Sequence, residues 1–327
     1  MKRKFILGVS MLLAAAAIAA SRDQRASLLP KLQPGQTLTY FVRFRSDKNV
    51  KTESTLVIPL APTASQGDMR ELLRIQILDV QEKVGRLTVH ARSQFLGNDA
   101  GEPGSKNSSQ RPISSQLPLK LERKPVEFTI SSDGSPEKIS GLDALSAGQQ
   151  QVWQEWLARF AVAWALSSSS ARIGDKWKTD QPEPTPSPIA ALSWARDSSY
   201  VRDEPCAPAQ LSAAGEVTPA NATVDKCAVL LTTAKLVQKS SPKDATPEDF
   251  KVHQLKTMGT AKGGNEIITY ISLSTGLVVR ATESATQQMD VVVAKADGSN
   301  AVRYNVDARS QLEVLLLTQA PEAPPRR

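Results

Sequence analysis

Residues 38–45, with the sequence LTYFVRFR, decide the fold class predicted for most of this chain. Leu38, Tyr40, Val42 and Phe44 alternate there with residues that are mainly polar, so one side of the segment is apolar and the other is wet. That period of two is typical of strands in an antiparallel sheet with one buried face. Further strands are predicted at 72–80, 87–92, 126–131, 227–237, 266–272, 276–283, 289–294 and 301–317, with hairpin turns at 132–135, 262–265, 274–276 and 297–298.

One segment has a helical period instead. Trp153, Trp156, Phe160 and Trp164 recur at helical spacing, which predicts an apolar helix over residues 147–166. We expect this helix to be a core element on which both sheets pack. In the alternative interpretation, the four aromatic side chains line a cavity for a hydrophobic ligand. Core and cavity use the same residue types, so both interpretations stay open.

The strands and the helix together predict an α+β fold. It would have mostly antiparallel, curved β-sheets in two halves, packed on one long apolar helix. Gly35 and Gly174 open the two halves in similar contexts, Pro-Gly-Gln and Ile-Gly-Asp. The predicted boundaries are a signal peptide at 1–20, an N-terminal β-rich half at 21–170 that ends in the Trp helix, a C-terminal half at 171–320 and a disordered tail at 321–327.

The first twenty residues are typical of a secretory signal peptide. Lys2, Arg3 and Lys4 precede 16 residues without charge, and the segment Ala-Ile-Ala at 17–19 fits a cleavage site. A spanning helix needs about 20 apolar residues, so a retained membrane anchor is the weaker alternative. We therefore expect a periplasmic or secreted protein that does not span the membrane after cleavage.

The two cysteines, Cys206 and Cys227, predict one disulfide in an oxidising compartment, with two free thiols as the alternative. Composition excludes one class of function. Removing three of the 40 basic residues with the signal peptide leaves 37 against 33 acidic residues, a net charge of +4. These charges are scattered, whereas nucleic-acid binding needs a clustered basic stripe.

The motif Gly174-Asp175-Lys176-Trp177 carries a resemblance. It follows the predicted helix and precedes many antiparallel strands, a layout similar to that of a loose group of uncharacterised secreted bacterial proteins. That group resembles the half-barrel carriers of the bacterial envelope, such as lipoprotein carriers. The second step is an analogy of fold and implies no site residues.

Motifs for catalysis are absent from the sequence. It contains no nucleophile elbow, zinc-protease motif or phosphate-binding glycine loop, and its two histidines, His90 and His253, lie in polar contexts. We therefore expect no metal, no cofactor and no enzymatic activity. Two acids brought together by the fold could still form a glycosidase-type pair, and the nearest cluster comprises Asp175, Asp197, Asp203 and Glu204.

The sequence therefore predicts an exported, non-catalytic protein that binds a hydrophobic ligand or a cell-envelope partner. The ligand-binding candidates are Trp153, Trp156, Phe160 and Trp164. The first alternative is a structural or assembly component of the envelope that makes only protein contacts. The second is a hydrolase that uses an unrecognised pair of carboxylates.

Overall fold

The structure is a computed structural model. It describes residues 25–54, 63–83, 86–96, 124–131, 136–145, 150, 153, 170–183, 187–212, 216–219 and 224–318. The predicted signal peptide and C-terminal tail lie outside these residues, as does most of the predicted Trp helix.

The described residues form thirteen strands, one short α-helix and one 3₁₀ turn. The helix α1 is Glu248–Val252, and the 3₁₀ turn is Leu142–Ala144. The strands are β1 (Thr37–Ser54), β2 (Thr63–Lys83), β3 (Arg86–Phe95), β4 (Val126–Ile130), β5 (Pro136–Ser140), β6 (Lys176–Pro182), β7 (Leu192–Cys206), β8 (Ala209–Leu211), β9 (Val217–Pro219), β10 (Asp225–Gln238), β11 (Leu255–Ser272), β12 (Val278–Lys295) and β13 (Val302–Leu316).

Eleven strands form one antiparallel sheet in the order β5-β4-β3-β2-β1-β13-β12-β11-β10-β7-β6, while β8 and β9 form a separate hairpin. The first and last long strands are neighbours at the middle of this sheet, where Val42 pairs with Val314. Strands from before residue 145 therefore lie on one side of the β1–β13 pair. Strands from after residue 171 lie on the other.

The predicted α+β class is wrong. Of the described residues, 71% are in strands or bridges and 5% are helical, so this part of the chain is nearly all β. No long apolar helix occurs within the described ranges; of the segment predicted as one, only Gln150 and Trp153 are described, and both are helical. The prediction was wrong because a single aromatic-rich segment was taken to form a helical layer on which the sheets pack. The strands in fact extend much further than their apolar patterns.

The main core lies on one face of the sheet, here called the inner face. Because side chains alternate along a strand, Tyr40 and Val42 of β1 point to this face, and both are fully buried. Their cross-strand partners Leu73 and Val314 belong to the same hydrophobic cluster. The alternation in residues 38–45 thus correctly predicted this buried face. The other face was expected to be wet, but Thr39 and Phe41 on it are also buried, at 5% and 8% exposed.

A smaller apolar cluster lies on the opposite face, here called the outer face. Phe41 and Leu72, which pair across β1 and β2, pack there with Leu317, and the β8–β9 hairpin contributes Ala209. The loop that contains this hairpin starts and ends at the Cys206–Cys227 disulfide, whose Cα atoms are 5.7 Å apart. The predicted disulfide is confirmed, and it closes the loop that covers this cluster.

The segment before β1 runs along one end of the sheet. Ala26 forms an antiparallel bridge with Ala171, and the Lys31 amide donates to the Thr275 carbonyl in the β11–β12 turn. Gly276 in that turn has a positive φ of 68°, and a Cβ there would lie 2.0 Å from the Leu29 carbonyl oxygen. Residues 25–36, here called the N-terminal strap, are therefore packed directly against the turn backbone.

The two glycines that open the predicted halves have matching backbone geometry. Gly35 and Gly174 both have positive φ, at 84° and 95°. The Gly35 amide donates to the Ile77 carbonyl, and the Gly174 amide donates in the same way to the Tyr200 carbonyl. Each accepting residue donates back to the residue after the glycine. The turn that leads into β1 therefore recurs at β6, although the division into two domains stays a prediction.

Candidate functional site

Trp153 is the only one of the four predicted ligand-binding residues within the described ranges. It is 1% exposed, and its ring centroid lies 4.6 Å from that of Phe95 on β3. This aromatic pair belongs to the main core. Trp156, Phe160 and Trp164 lie outside the described residues, so the proposed wall of a hydrophobic cavity stays a prediction.

Acids of the predicted cluster each have their own basic or hydroxyl partner. Asp175 accepts hydrogen bonds from the Arg172 amide and guanidinium, and the backbone bond is the main reason why its pKa is below the usual value. Asp203 accepts from the Tyr200 hydroxyl and lies 2.6 Å from Lys226 Nζ. Asp197 contacts Lys178, and Glu204 contacts Arg202. These contacts hold the four acids in separate ion pairs and hydrogen bonds.

The His90 side chain is 43% exposed and lies beside Glu127. Within the described ranges, no group of three or more His, Cys, Asp or Glu side chains could hold a metal ion.

A buried arginine lies on β7, in the second half of the sheet. Arg196 on β7 is 7% exposed, and it donates to the Gln181 side chain. Burial lowers the pKa of Arg196, while the negative charges of Glu283 and Glu183 oppose that shift. Glu283 in turn accepts from Asn265 at 2.6 Å. This polar network connects side chains from β6 to β12 and contributes to the register of the second half.

The outer face has a different character beyond its apolar cluster. A continuous open groove lies there, lined by polar side chains of five adjacent strands, β2, β1, β13, β12 and β11. Two of its sections have volumes of about 690 Å³ and 530 Å³. They share Asp47, Thr286 and Arg309, and a third section of about 310 Å³ adjoins at Arg45. We call this surface the outer groove.

Hydroxyl, amide and charged side chains dominate the outer groove. Its outer-face lining residues include Arg43, Arg45, Asp47, Asn49, Asp68, Lys262, Ser284, Thr286, Gln288, Asp307, Arg309, Gln311 and Glu313. None of the described residues that line the three sections is aromatic. The described lining of the groove therefore presents hydrogen-bond donors, hydrogen-bond acceptors and both signs of charge, without a ring on which a sugar could stack.

Three arginines surround one carboxylate at the β1–β2 side of the groove. Arg45 Nε lies 3.3 Å from Asp68, while Arg43 and Arg70 lie 3.9 Å and 3.8 Å from it. Arg43 is directly opposite Arg70 in the strand register, a like-charge pair that disfavours the sheet. The Nε atom of Arg43 is buried and has no hydrogen-bond acceptor among the described residues. We call these three side chains the arginine cluster.

Sequence reasoning missed the outer groove. The alternation in residues 38–45 showed that Arg43 and Arg45 share a polar face. It did not reveal that Arg70 lies opposite Arg43, because the pairing of β1 with β2 depends on register.

The fold and the disulfide define the broad class: an antiparallel β protein of an oxidising environment outside the cytoplasm. No described helix is both long and apolar enough to cross a lipid bilayer.

Comparison with known proteins adds only distant likenesses. No family model and no curated protein matches the sequence. A Bacteroides fragilis structure described as a "putative exported protein with YmcC-like fold" has 11% identity and a TM-score of 0.25, covering 86% of this chain and 97% of its own. A "putative lipoprotein" from Parabacteroides distasonis has 9% identity and a TM-score of 0.23, covering 90% and 98%.

The outer membrane protein OprG from Pseudomonas aeruginosa has 7% identity and a TM-score of 0.17, covering 88% of this chain and 99% of its own. These bacterial neighbours are β-rich, and two are described as exported protein or lipoprotein. Because the TM-scores are far below 0.5, no site or activity is transferred from them.

Proposed function

We propose that this chain is an exported, non-catalytic protein that docks a polar partner protein of the cell envelope through the outer groove. The observation that supports this proposal is the groove itself, which crosses five adjacent strands and carries hydrogen-bonding and charged side chains. Such side chains provide specificity and electrostatic complementarity at protein interfaces.

The hydrophobic ligand predicted beside the Trp helix stays a prediction, because Trp156, Phe160 and Trp164 lie outside the described residues. The alternative of an assembly component that makes only protein contacts would use the same groove. The hydrolase alternative stays a prediction, since the four candidate acids are engaged in separate contacts.

The proposal can be tested by site-specific photo-crosslinking in the native host. A crosslinking amino acid at Gln288, which is exposed in the groove, should give one major adduct with an extracytoplasmic protein. The same probe at Val252, an exposed position on α1, should give none. A second substitution, Thr286→Trp, should fill the groove and abolish the adduct without lowering the unfolding midpoint.

Mass spectrometry of the adduct would identify the crosslinked segment. Equal adducts at Gln288 and Val252 would mean that the groove is not a specific docking surface. The same conclusion would follow if Thr286→Trp left the adduct unchanged.

A further inference from the structure

Strand β6 forms one end of the large sheet. It pairs with β7, and no other described strand pairs with it. Strands β10 and β7 separate it from the five strands of the outer groove. Its even-numbered side chains are exposed, and its odd-numbered ones are half-buried. The outer side of an end strand is a template on which a further strand can pair, and we call this side of β6 the β6 edge.

The hydrogen bonds between β6 and β7 determine which backbone groups face the β6 edge. At one end of the pairing, the Tyr200 amide donates to the Asp175 carbonyl. At the other end, the Glu183 amide donates to the Leu192 carbonyl. Because hydrogen-bonded and non-hydrogen-bonded positions alternate in an antiparallel pair, the odd-numbered residues of β6 bond to β7. The even-numbered residues direct their backbone groups to the β6 edge, and they are Lys176, Lys178, Asp180 and Pro182.

The sequence of the β6 edge is complementary to itself. When two copies pair antiparallel about a two-fold axis at Thr179, Lys178 of each copy lies opposite Asp180 of the other. An axis at Lys178 or at Asp180 would instead place that residue opposite its own copy. Opposite charges across a strand pair stabilise it, and like charges destabilise it. Charge therefore selects the axis at Thr179.

Both charged side chains remain available for this contact. Within the chain, Lys178 lies 3.3 Å from Asp197, and Asp180 lies 2.6 Å from Lys239. The Lys178 side chain is nevertheless 83% exposed and that of Asp180 is 52% exposed. Lysine on an end strand ordinarily discourages pairing with other strands. Asp180 of a second copy offsets that effect, so the β6 edge favours its own copy over an unrelated strand.

The same axis also matches the backbone donors and acceptors. Lys178 of one copy and Asp180 of the other form a hydrogen-bonded pair, in which each amide donates to the opposite carbonyl. The Lys176 amide lies opposite the Pro182 carbonyl of the second copy. Pro182 has no amide hydrogen to donate, so the ladder ends there. The self-paired stretch therefore coincides with β6 itself.

We propose that the β6 edge joins two copies of this chain into a symmetric dimer with one continuous sheet. The contact involves only the seven residues of β6 in each copy, so the dimer forms and dissociates reversibly. This inference goes beyond the proposed docking function. The outer groove belongs to other strands, so either proposal can fail without the other.

The test is sedimentation equilibrium of the mature, oxidised protein over a range of concentrations. The average mass should rise from that of the monomer towards that of the dimer. Lys178→Asp and Asp180→Lys should each weaken the association by about tenfold, because each dimer contains the altered contact twice. The double variant exchanges the two charges and should restore the association of the wild type. Val252→Ala is the control and should leave it unchanged.

The double variant separates self-association from a structural role of the two side chains. It restores opposite charges between the two copies, but it keeps like charges beside Asp197 and Lys239 within each copy. A role confined to the single chain would therefore give no recovery in the double variant.

A cysteine at the axis provides a second measurement. Across a non-hydrogen-bonded pair the Cα atoms are about 4.5 Å apart, which a disulfide can span. Oxidised Thr179→Cys should therefore form a covalent dimer. Lys176→Cys is its matched control, because the two copies of residue 176 would lie about 20 Å apart.

Four results would overturn the proposal. They are a monomer at all concentrations, a double variant no better than the single ones, equal trapping at positions 176 and 179, and species larger than a dimer.

Discussion

Truncation of Trp153 to alanine should strongly destabilise the protein, because its ring is 1% exposed and packs against Phe95. A large aromatic side chain buries about 150–250 Å². At about 25 cal/mol per Å² this corresponds to roughly 4–6 kcal/mol, which is an upper estimate. Truncations of buried Phe or Trp cost about 3–5 kcal/mol. We therefore expect Trp153→Ala to lower the free energy of unfolding by about 3–5 kcal/mol.

Urea unfolding followed by far-UV circular dichroism measures this loss without relying on tryptophan emission. Phe95→Leu and the double variant complete a thermodynamic cycle, and the coupling between the two rings should be about 0.5–1.5 kcal/mol. Val252→Ala is the control, because Val252 is 79% exposed and its truncation should change stability by less than about 0.5 kcal/mol.

A loss below about 1 kcal/mol for Trp153→Ala, with no coupling to Phe95, would refute the core assignment. It would favour the alternative in which the aromatic segment lines a cavity. Saturable binding of a hydrophobic fluorescent probe to the wild type, lost in the variant, would then support a hydrophobic ligand.

Three further predictions concern the strap, the disulfide and acid stability. Gly276→Ala should destabilise the protein by more than the roughly 1–2 kcal/mol that the left-handed conformation alone costs, because the new Cβ would meet the Leu29 carbonyl. Limited proteolysis of this variant should then cut the N-terminal strap first. An unchanged cleavage pattern would argue against the contact. Reduction of the Cys206–Cys227 disulfide should lower the free energy of unfolding by about 3 kcal/mol, the loop-entropy effect for a sequence separation of 21, and this is measured as a shift of the urea midpoint. Alkylation of the unreduced, unfolded protein would instead reveal free thiols. Asp175 has a lowered pKa, so its carboxylate stabilises the fold above about pH 4, and this effect is lost as the pH falls further. The difference in unfolding free energy between wild type and Asp175→Asn should therefore shrink below about pH 4. A difference that stays constant with pH would contradict this role of Asp175.

The sequence pattern predicted those parts of the fold in which one face is apolar. Residues 38–45 alternate because Tyr40 and Val42 enter the inner core, and the turns at 274–276 and 297–298 were correctly placed between long strands. The turn predicted at 262–265 was wrong, since these residues lie inside β11. Gly263 is required there for close packing, because a Cβ would lie 2.7 Å from the Thr286 carbonyl and 3.2 Å from the Trp194 ring.

The outer groove could not be predicted for a related reason. Where both faces of a strand are wet, alternation leaves no contrast in the sequence, so the polar halves of β1 and β12 resemble loops. The groove residues come together only through register, as when Asp47 pairs with Arg309. Local patterns do not encode such pairing over long separations.

The central β1–β13 pair also determines the order in which this fold can be completed. During synthesis, β1 is made early, and its partner edge stays open until β13 has been translated. Contacts between segments so distant in sequence slow folding, and unpaired strand edges favour aggregation. The middle of the sheet is therefore the last part to close. In a chain truncated before β13, the strands on the two sides of the sheet should lack the β1–β13 pairing that joins them, however well each side has formed.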